Sequence, residues 1–486
     1  MNYQDFLTSK KKYTLPSGFE VDTKDMSNKL FSWQKECVKW ALKKGKCALF
    51  EACGLGKTMQ QLEWAKQIHR LTNGNVLIVA PLGVAVQTAK EEAPKLGVEV
   101  NIIRQTNEIR DGINIINYEM LDTIDTSSFI GVVLDESSIL KNFTGKVRTK
   151  ITECFKTTKY KLCCTATPAP NDYMELLNHA EFLDIMSSAQ ALSIYFINDM
   201  KTGQWRLKGH ATVEFWRWVS SWALNIEKPS DIGFDDTGYI LPKLNEYEEI
   251  VEIDLIDKNF EHGLFRDIQM SATSFYSEKK NTIKERSQRV KEIIEENPNE
   301  QYLIWVDMNE EADELMKIIP NAVEVRGSDK NEFKEEASQK FKSGEIQILI
   351  SKPKIFGYGM NFQNCHNVVF CGLTYSYENY YQALRRLYRF GQTKEVNSYI
   401  VLGSTEKVIL ETIRRKEEQQ RQMKNSMSLS MKDIQLLEIN GKSKKFEFAR
   451  NNIELPSWLW NKKKVIVGLL TIAIVWKYVS NYHLTV

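Results

Sequence analysis

Five consecutive residues, Gly54-Leu55-Gly56-Lys57-Thr58, combine the types that a phosphate chain needs. Glycines let the backbone curl until successive N–H groups face an anion. A lysine carries charge to the outer phosphate oxygens, and a hydroxyl next to it can serve a divalent cation. The run before them, "CALFEA" (47–52), has strand length, and "TMQQLEWAKQIHRL" after Lys57 spaces its apolar residues as a helix does. A strand, a glycine turn and a helix form the setting in which a helix N-terminus holds phosphate. One position disagrees with the usual pattern: five residues before Gly56, where a glycine is common, this chain has Glu51.

A second chemical signal lies in "VVLDESS" (132–138), where Asp135 and Glu136 end an apolar strand. In a parallel sheet the carboxyl ends of the strands face the ligand. Asp135 can hold Mg²⁺, together with Thr58, while Glu136 can orient or deprotonate an attacking water. That division of labour serves hydrolysis of a nucleoside triphosphate such as ATP.

The third signal is "YYQALRRLYRFGQ" (380–392), in which Arg386 and Arg389 are three residues apart. On a helix that spacing puts both on one face, able to point together at a phosphate. An arginine delivered from a separate domain stabilises transition-state charge and contributes ~10³ or more in rate. Hydrolysis is then tied to domain closure.

The elements needed to hold these residues are legible in outline. Buried parallel strands are expected at 47–52, 75–81, 113–119, 131–136 and 160–168. A second set is expected at 301–307, 322–327, 346–351, 367–372 and 398–403. Two sets of β-α-β units imply an α/β fold with two doubly wound parallel sheets in tandem. The stretch 180–300 reads as helical, with a Pro-, Gly- and Asp-rich boundary between the sets. "ETIRRKEEQQRQMKN" (411–425) reads as an exposed charged helix.

In this order the segments resemble superfamily 2 helicases, most closely their Swi/Snf-like branch of double-stranded DNA translocases. That branch commonly reads Asp-Glu-Met-Gly-Leu-Gly-Lys-Thr, so the acidic Glu51 becomes a mark of kinship. The resemblance runs over about residues 28–405. It implies two RecA-like P-loop domains with helical insertions and a helical C-terminal tail. The expected parts are an extension 1–27, an ATP-binding domain 28–225, a linker 226–245, a helicase C-terminal domain 246–410 and a tail 411–486. "FSWQKECVKWAL" then makes Gln34 the reader of adenine, and "LIVAPLGVAVQTAKE" (77–91) the segment that touches the nucleic-acid backbone. Gln34, Gly54, Leu55, Gly56, Lys57, Thr58, Asp135 and Gln382 are the implied nucleotide contacts. Lys57, Glu136, Arg386 and Arg389 are the implied catalytic set.

Thr165 and Thr167 in "TATPAPND" match hydroxyls that couple nucleotide state to movement, and Gly357, Gly359 and Asn361 match a second glycine-rich segment. There are departures. Ser137-Ser138-Ile139-Leu140 replaces Ala-His-Arg-Ile, with Lys141 and Asn142 agreeing, Phe356 replaces a glycine, and Arg385 replaces a residue that is usually acidic.

The expected cofactors are ATP and Mg²⁺ and the expected partner is double-stranded DNA, with RNA as the alternative. The compact form resembles versions encoded by bacteriophages and prophages, with a cytoplasmic location. A net charge of +2 decides nothing about partners. Eight cysteines without a C-x-x-C pair argue for reduced thiols rather than a zinc site. The twelve uncharged residues Val465 to Trp476 would reach only ~18 Å as a helix against a hydrocarbon core of ~30 Å, so no membrane partner is expected. "QWRLKGHATVEFWRWVSSWAL" (204–224) mixes aromatic with basic residues, as a nucleic-acid surface does. Its Phe215, Val219 and Trp222 form an apolar helical stripe, which favours core packing.

Overall fold

The computed structural model describes residues 16–141, 145–170, 172–199, 204–252, 279–356 and 360–439, which belong to one compact unit. Asn142, Asn171, Gly357, Gly359 and the apolar segment 465–476 lie outside the described residues.

Strand-length apolar runs pair in parallel because helices cover both of their faces. The first sheet takes β1 (Lys46–Glu51), β2 (Asn75–Ala80), β3 (Val100–Ile102), β4 (Ile113–Asn117), β5 (Phe129–Asp135), β6 (Tyr160–Thr165) and β9 (Ala223–Ile226). Its order is β3-β4-β2-β5-β6-β1-β9, parallel throughout. Alternation along β2 sends Val76 and Ile78 into one core and Leu77 and Val79 into the other. β7 (Phe196–Asp199) and β8 (Gln204–Leu207) form a separate antiparallel hairpin.

The second sheet has the order β10-β15-β14-β11-β13-β12, again parallel. Its strands are β10 (Leu244–Val251), β11 (Tyr302–Val306), β12 (Ala322–Val325), β13 (Ile348–Ser351), β14 (Asn367–Cys371) and β15 (Val396–Gly403). All five expected strands of each set are present, within a few residues of the expected limits. The short β3, and β9 and β10 at the sheet edges, escaped the sequence reading. The stretch from 180 onward is accordingly not all helical: β7, β8, β9 and β10 lie within it. Pairing with distant strands makes β9 and β10 extended, and β7 and β8 pair with each other.

Six helices matter below: α1 (Ser32–Lys44), α2 (Lys57–Thr72), α3 (Glu175–Phe182), α4 (Thr212–Ser220), α5 (Tyr377–Leu384) and α6 (Lys407–Ile439). On α4 and just beyond it, Phe215, Trp216, Trp218, Val219 and Trp222 are all buried in the first core. The aromatic stretch is therefore core rather than a stacking platform, each ring contributing roughly 2–3 kcal/mol on burial.

Helix α6 corrects the expectation of an exposed charged helix. It carries a buried stripe, Ile409, Ile413, Gln420, Met427, Met431 and Gln435, at steps of four or seven residues. Ile409 and Ile413 belong to a core of the second sheet, whereas Met427 and Met431 enter the core of the first. Gln420 donates to Ala169 O at 2.8 Å, and Asn225 to Ser428 Oγ at 2.8 Å. Arg414 pairs with Glu246 and Glu248 of β10. The helix thus ties the two domains together, and its charges occupy only the remaining faces. No helix among the described residues is long and apolar enough to cross a membrane.

Candidate functional site

Register sets the frame of the site. β6 lies between β5 and β1, with Asp135 level with Cys164 and Phe50 level with Thr165. The turn after β1 and the acidic end of β5 therefore open at the same sheet edge.

The turn is built on two glycines in left-handed conformations, Gly54 (φ 91°) and Gly56 (φ 76°). A Cβ on Gly54 would lie 2.8 Å from Phe390 N, and one on Gly56 2.4 Å from Gln34 Nε2. Helix α2 starts at Lys57, whose Nζ donates to Glu51 O at 2.8 Å and Ala52 O at 3.1 Å. Gln34 clamps this turn: its Nε2 donates to Leu55 O at 2.9 Å, and its Oε1 accepts from Phe31 N at 2.9 Å. Both ends of the amide thus bond within the protein, and Leu55 points into the core while its carbonyl takes the clamp.

Glu51 is buried within the first domain. Gln60 donates to its Oε2 at 2.8 Å, its Oε1 has no hydrogen-bond partner, and burial pushes its carboxyl up to about 7. Asp135 is raised by burial too, and Gln61 Nε2, one turn along α2 from Lys57, donates to its Oδ1 at 2.7 Å. Glu136 has φ 57°, a conformation that costs a non-glycine residue of order 1 kcal/mol or more and collects at functional sites. Its Oε1 takes hydrogen bonds from Ser138 (2.9 Å) and Thr165, while Gln382 Nε2 lies 3.4 Å from Oε2. Burial is the main cause that raises its carboxyl pKa. At the turn Thr167 donates its backbone N–H to Thr165 Oγ1 at 3.0 Å, while its own hydroxyl is buried without a partner.

The arginines reach the site by a different geometry from the one expected. Helix α5 ends at Leu384, and Arg386 and Arg389 sit on the tight turns that follow, marked by bonds from Arg386 N to Ala383 O and Leu387 N to Leu384 O. The chain stops being helical because these N–H groups bond three residues back. Arg386 is locked in place: Nε and Nη2 donate to Gln382 O and Oε1, both at 2.8 Å, and Nη1 to Met360 O at 3.1 Å. Arg389 donates to Met360 O at 3.4 Å but its Nε is buried and unpartnered. Burial, reinforced by Arg386, pushes Arg389 down to about 10. A buried guanidinium short of partners suits an arriving anion.

These groups meet around a cavity of about 150 Å³, lined by Gly54, Gly56, Lys57, Thr58, Asp135, Glu136, Gln382, Arg385, Arg386 and Arg389. Both domains contribute. Of the expected contacts, Gln34 and Leu55 stand behind the wall rather than in it. Gln61, Ser138 and Glu378 were missed by sequence reasoning. Gln61 carried a usable signal, four residues from Lys57 on the same helix face; the others needed the tertiary structure. Arg385 lines the cavity with its guanidinium held over Tyr381 and Tyr388, 5.1 Å from each ring. Thr58 and Asp135 supply the hydroxyl and carboxylate that would hold a Mg²⁺ ion, which would neutralise phosphate charge there. Among the described residues no cluster of three or more His, Cys, Asp and Glu could hold a metal by itself.

Next to this cavity a cleft of about 1200 Å³ runs between the domains. Pro81, Gly83, Gln87 and Lys90, from the segment expected to touch nucleic acid, line it from the first domain. Lys334, Lys354 and Met360 line it from the second, and Lys90 pairs across it with Glu335 at 3.2 Å.

Residues 33–217 match the SNF2-related domain, and residues 285–391 match the helicase conserved C-terminal domain. No curated protein matches the sequence. Among solved structures, the DEAD-box helicase Mss116 bound to ssRNA and UDP-BeF superimposes with a TM-score of 0.52 at 16% identity, covering 79% of this chain and 72% of that one. The Sulfolobus solfataricus SWI2/SNF2 ATPase core in complex with dsDNA gives a TM-score of 0.41 at 17% identity, covering 87% of this chain and 99% of that one.

The fold is that of a tandem RecA-like helicase core. Along one chain, a segment similar to the SNF2-related domain is thus followed by one similar to the helicase conserved C-terminal domain.

Proposed function

We propose that this protein is an ATP-driven motor that moves along double-stranded DNA. The observation that carries the reading is the convergence of Gln382, Arg386 and Arg389 of one domain on Glu136, Lys57 and Thr58 of the other, around one phosphate-sized cavity. A nucleotide-binding switch needs only Lys57, Thr58 and Glu136. A motor needs both sets, because arginines that arrive on closure make hydrolysis and movement a single event.

In this reading the turn at Gly54–Gly56 cradles the phosphates and Lys57 leaves its two carbonyl partners to grip them. Thr58 and Asp135 would hold Mg²⁺, which neutralises charge on the phosphate oxygens. Glu136 orients the attacking water and accepts its proton, and Arg389 offers its spare donor to the charge that develops. The cleft is the track for nucleic acid: its lysines face phosphates, and it opens or narrows with the same domain movement. The SNF2-related first domain favours duplex DNA over RNA. The compact form, resembling phage and prophage versions, fits work in a bacterial cytoplasm.

ATP turnover measured with duplex DNA, single-stranded DNA, RNA or no polymer tests this directly. Duplex DNA should stimulate most, and Lys57→Ala and Glu136→Gln should abolish the response. Equal rates in all four conditions would exclude a motor, leaving an ATP-gated clamp, and stimulation by RNA alone would make the protein an RNA helicase. Displacement of a triplex strand, without unwinding of the duplex, would then mark translocation.

A further inference from the structure

Ser138 occupies a position where the family pattern has histidine, and it faces carboxyl groups from two domains at once. Its Oγ lies 2.9 Å from Glu136 Oε1 and 3.0 Å from Glu378 Oε1. Glu378 sits in the first turn of α5, four residues before Gln382. Its other oxygen pairs with Lys141, which ends the short turn that begins at Ser137. Ser138 is 2% exposed and Glu378 8%, so water does not make up for a missing partner here.

A serine hydroxyl has a single hydrogen, so it donates to one carboxylate at a time. Two carboxyl oxygens at near-equal distance therefore compete for it. We propose that Ser138 is a positioning residue that works as a two-position hydrogen-bond switch, tying the state of Glu136 to the docking of the second domain. This rests on the reading of Glu136 as the base for hydrolysis.

With α5 withdrawn, Glu136 is the only one of the two carboxylates within reach, and the hydroxyl occupies one of its lone pairs. A base in that condition has less to offer a water. When α5 docks, Lys141 draws Glu378 in and the hydroxyl can turn to it. Glu136 Oε1 then keeps the Thr165 bond and regains acceptor capacity on the side of the cavity. Docking of the second domain brings the arginines and frees the base in the same movement.

The test is steady-state ATP turnover of the full chain, with and without whichever of duplex DNA, single-stranded DNA or RNA stimulates the wild type most. Ser138→Ala should raise unstimulated kcat severalfold and shrink the stimulation ratio, because the bond that restrains Glu136 is gone. Ser138→Thr keeps a hydroxyl and should restore the wild-type ratio. Glu378→Ala should lower the stimulated kcat about tenfold with the KM for ATP within about twofold. The double variant should behave as Ser138→Ala, since a switch without its hydroxyl has nothing to turn. Additive losses in both single variants, or a Ser138→Ala enzyme identical to the wild type, would overturn the switch. Amide hydrogen exchange of residues 137–141 decides the contact without turnover: Glu378→Ala should speed it about threefold or more, and unchanged exchange would remove the contact. A wild type that hydrolyses no ATP would defeat the proposed function, while the exchange result would still decide the Ser138–Glu378 contact.

Discussion

Gln382 Nε2, from the second domain, lies 3.4 Å from Glu136 Oε2 of the first, while Gln382 Oε1 accepts from Arg386 Nη2 at 2.8 Å. One amide thus links the carboxylate of one domain to an arginine of the other. It does so with no charge of its own, so it orients both without neutralising either.

Gln382→Ala removes this link and leaves the phosphate cradle untouched. The expected result is a kcat lower by about 10- to 100-fold with the KM for ATP changed less than about threefold. Gln382→Glu should be worse, because it sets a like charge against Glu136. A pure rise in KM for the alanine variant would assign Gln382 to ground-state binding instead.

The two arginines should separate when stability and rate are measured together. Arg386 makes three hydrogen bonds within its own domain, whereas Arg389 keeps a buried, unpartnered Nε. Arg386→Ala should therefore lower both the melting temperature and kcat. Arg389→Ala should cost about 10³ in kcat, yet leave the melting temperature level or raised, since it relieves an uncompensated buried donor. Thermal melts run beside turnover assays would show whether the costs divide in this way.

Glu51 gives a pH dependence of definite sign. Its folded-state value of about 7 stands above the ordinary 4.5, owing first to burial, with Lys57 and Gln60 opposing. Between those values the folded chain holds a proton that the unfolded chain has released, so stability from this site is present at low pH and lost as pH rises towards and past 7. The loss amounts to at most about 3 kcal/mol. Urea denaturation at pH 5.5 and pH 8 should show the wild type weakening relative to Glu51→Gln. A difference that does not change with pH would mean that Glu51 titrates as an ordinary glutamate.

The far end of α6 is part of the first domain's core. Met431 is fully buried there, so Met431→Ala should cost about 2–4 kcal/mol. Trp216, Trp218 and Trp222 share that core, and their fluorescence reports its unfolding. A surface-like cost below about 0.5 kcal/mol would show that the helix does not pack there.

The sequence by itself determined the elements whose signal is local. The turn at Gly54–Thr58 is written in glycines that must adopt positive φ, and the strand before Asp135 in an apolar run of fixed length. The principal strands of both sheets were legible because a strand buried on both faces is apolar throughout. The resemblance to superfamily 2 rests on the order of those signals along the chain.

Tertiary structure decided what depends on partners far away in sequence. β9 and β10 are strands only because β1 and β15 pair with them. Ile413 and Met431 carry the same periodic signal on one helix, and nothing local says that they enter the cores of different domains. Arg386 and Arg389 read as one helical face, yet hydrogen bonds that reach three residues back end the helix before them and turn them inward. Gln34 reads from the sequence as a contact to a base, and the fold adds bonds from its amide to Leu55 O and Phe31 N. Ser138 and Glu378 are 240 residues apart in the chain; only the packing of one domain on the other sets a hydroxyl between two carboxyl groups.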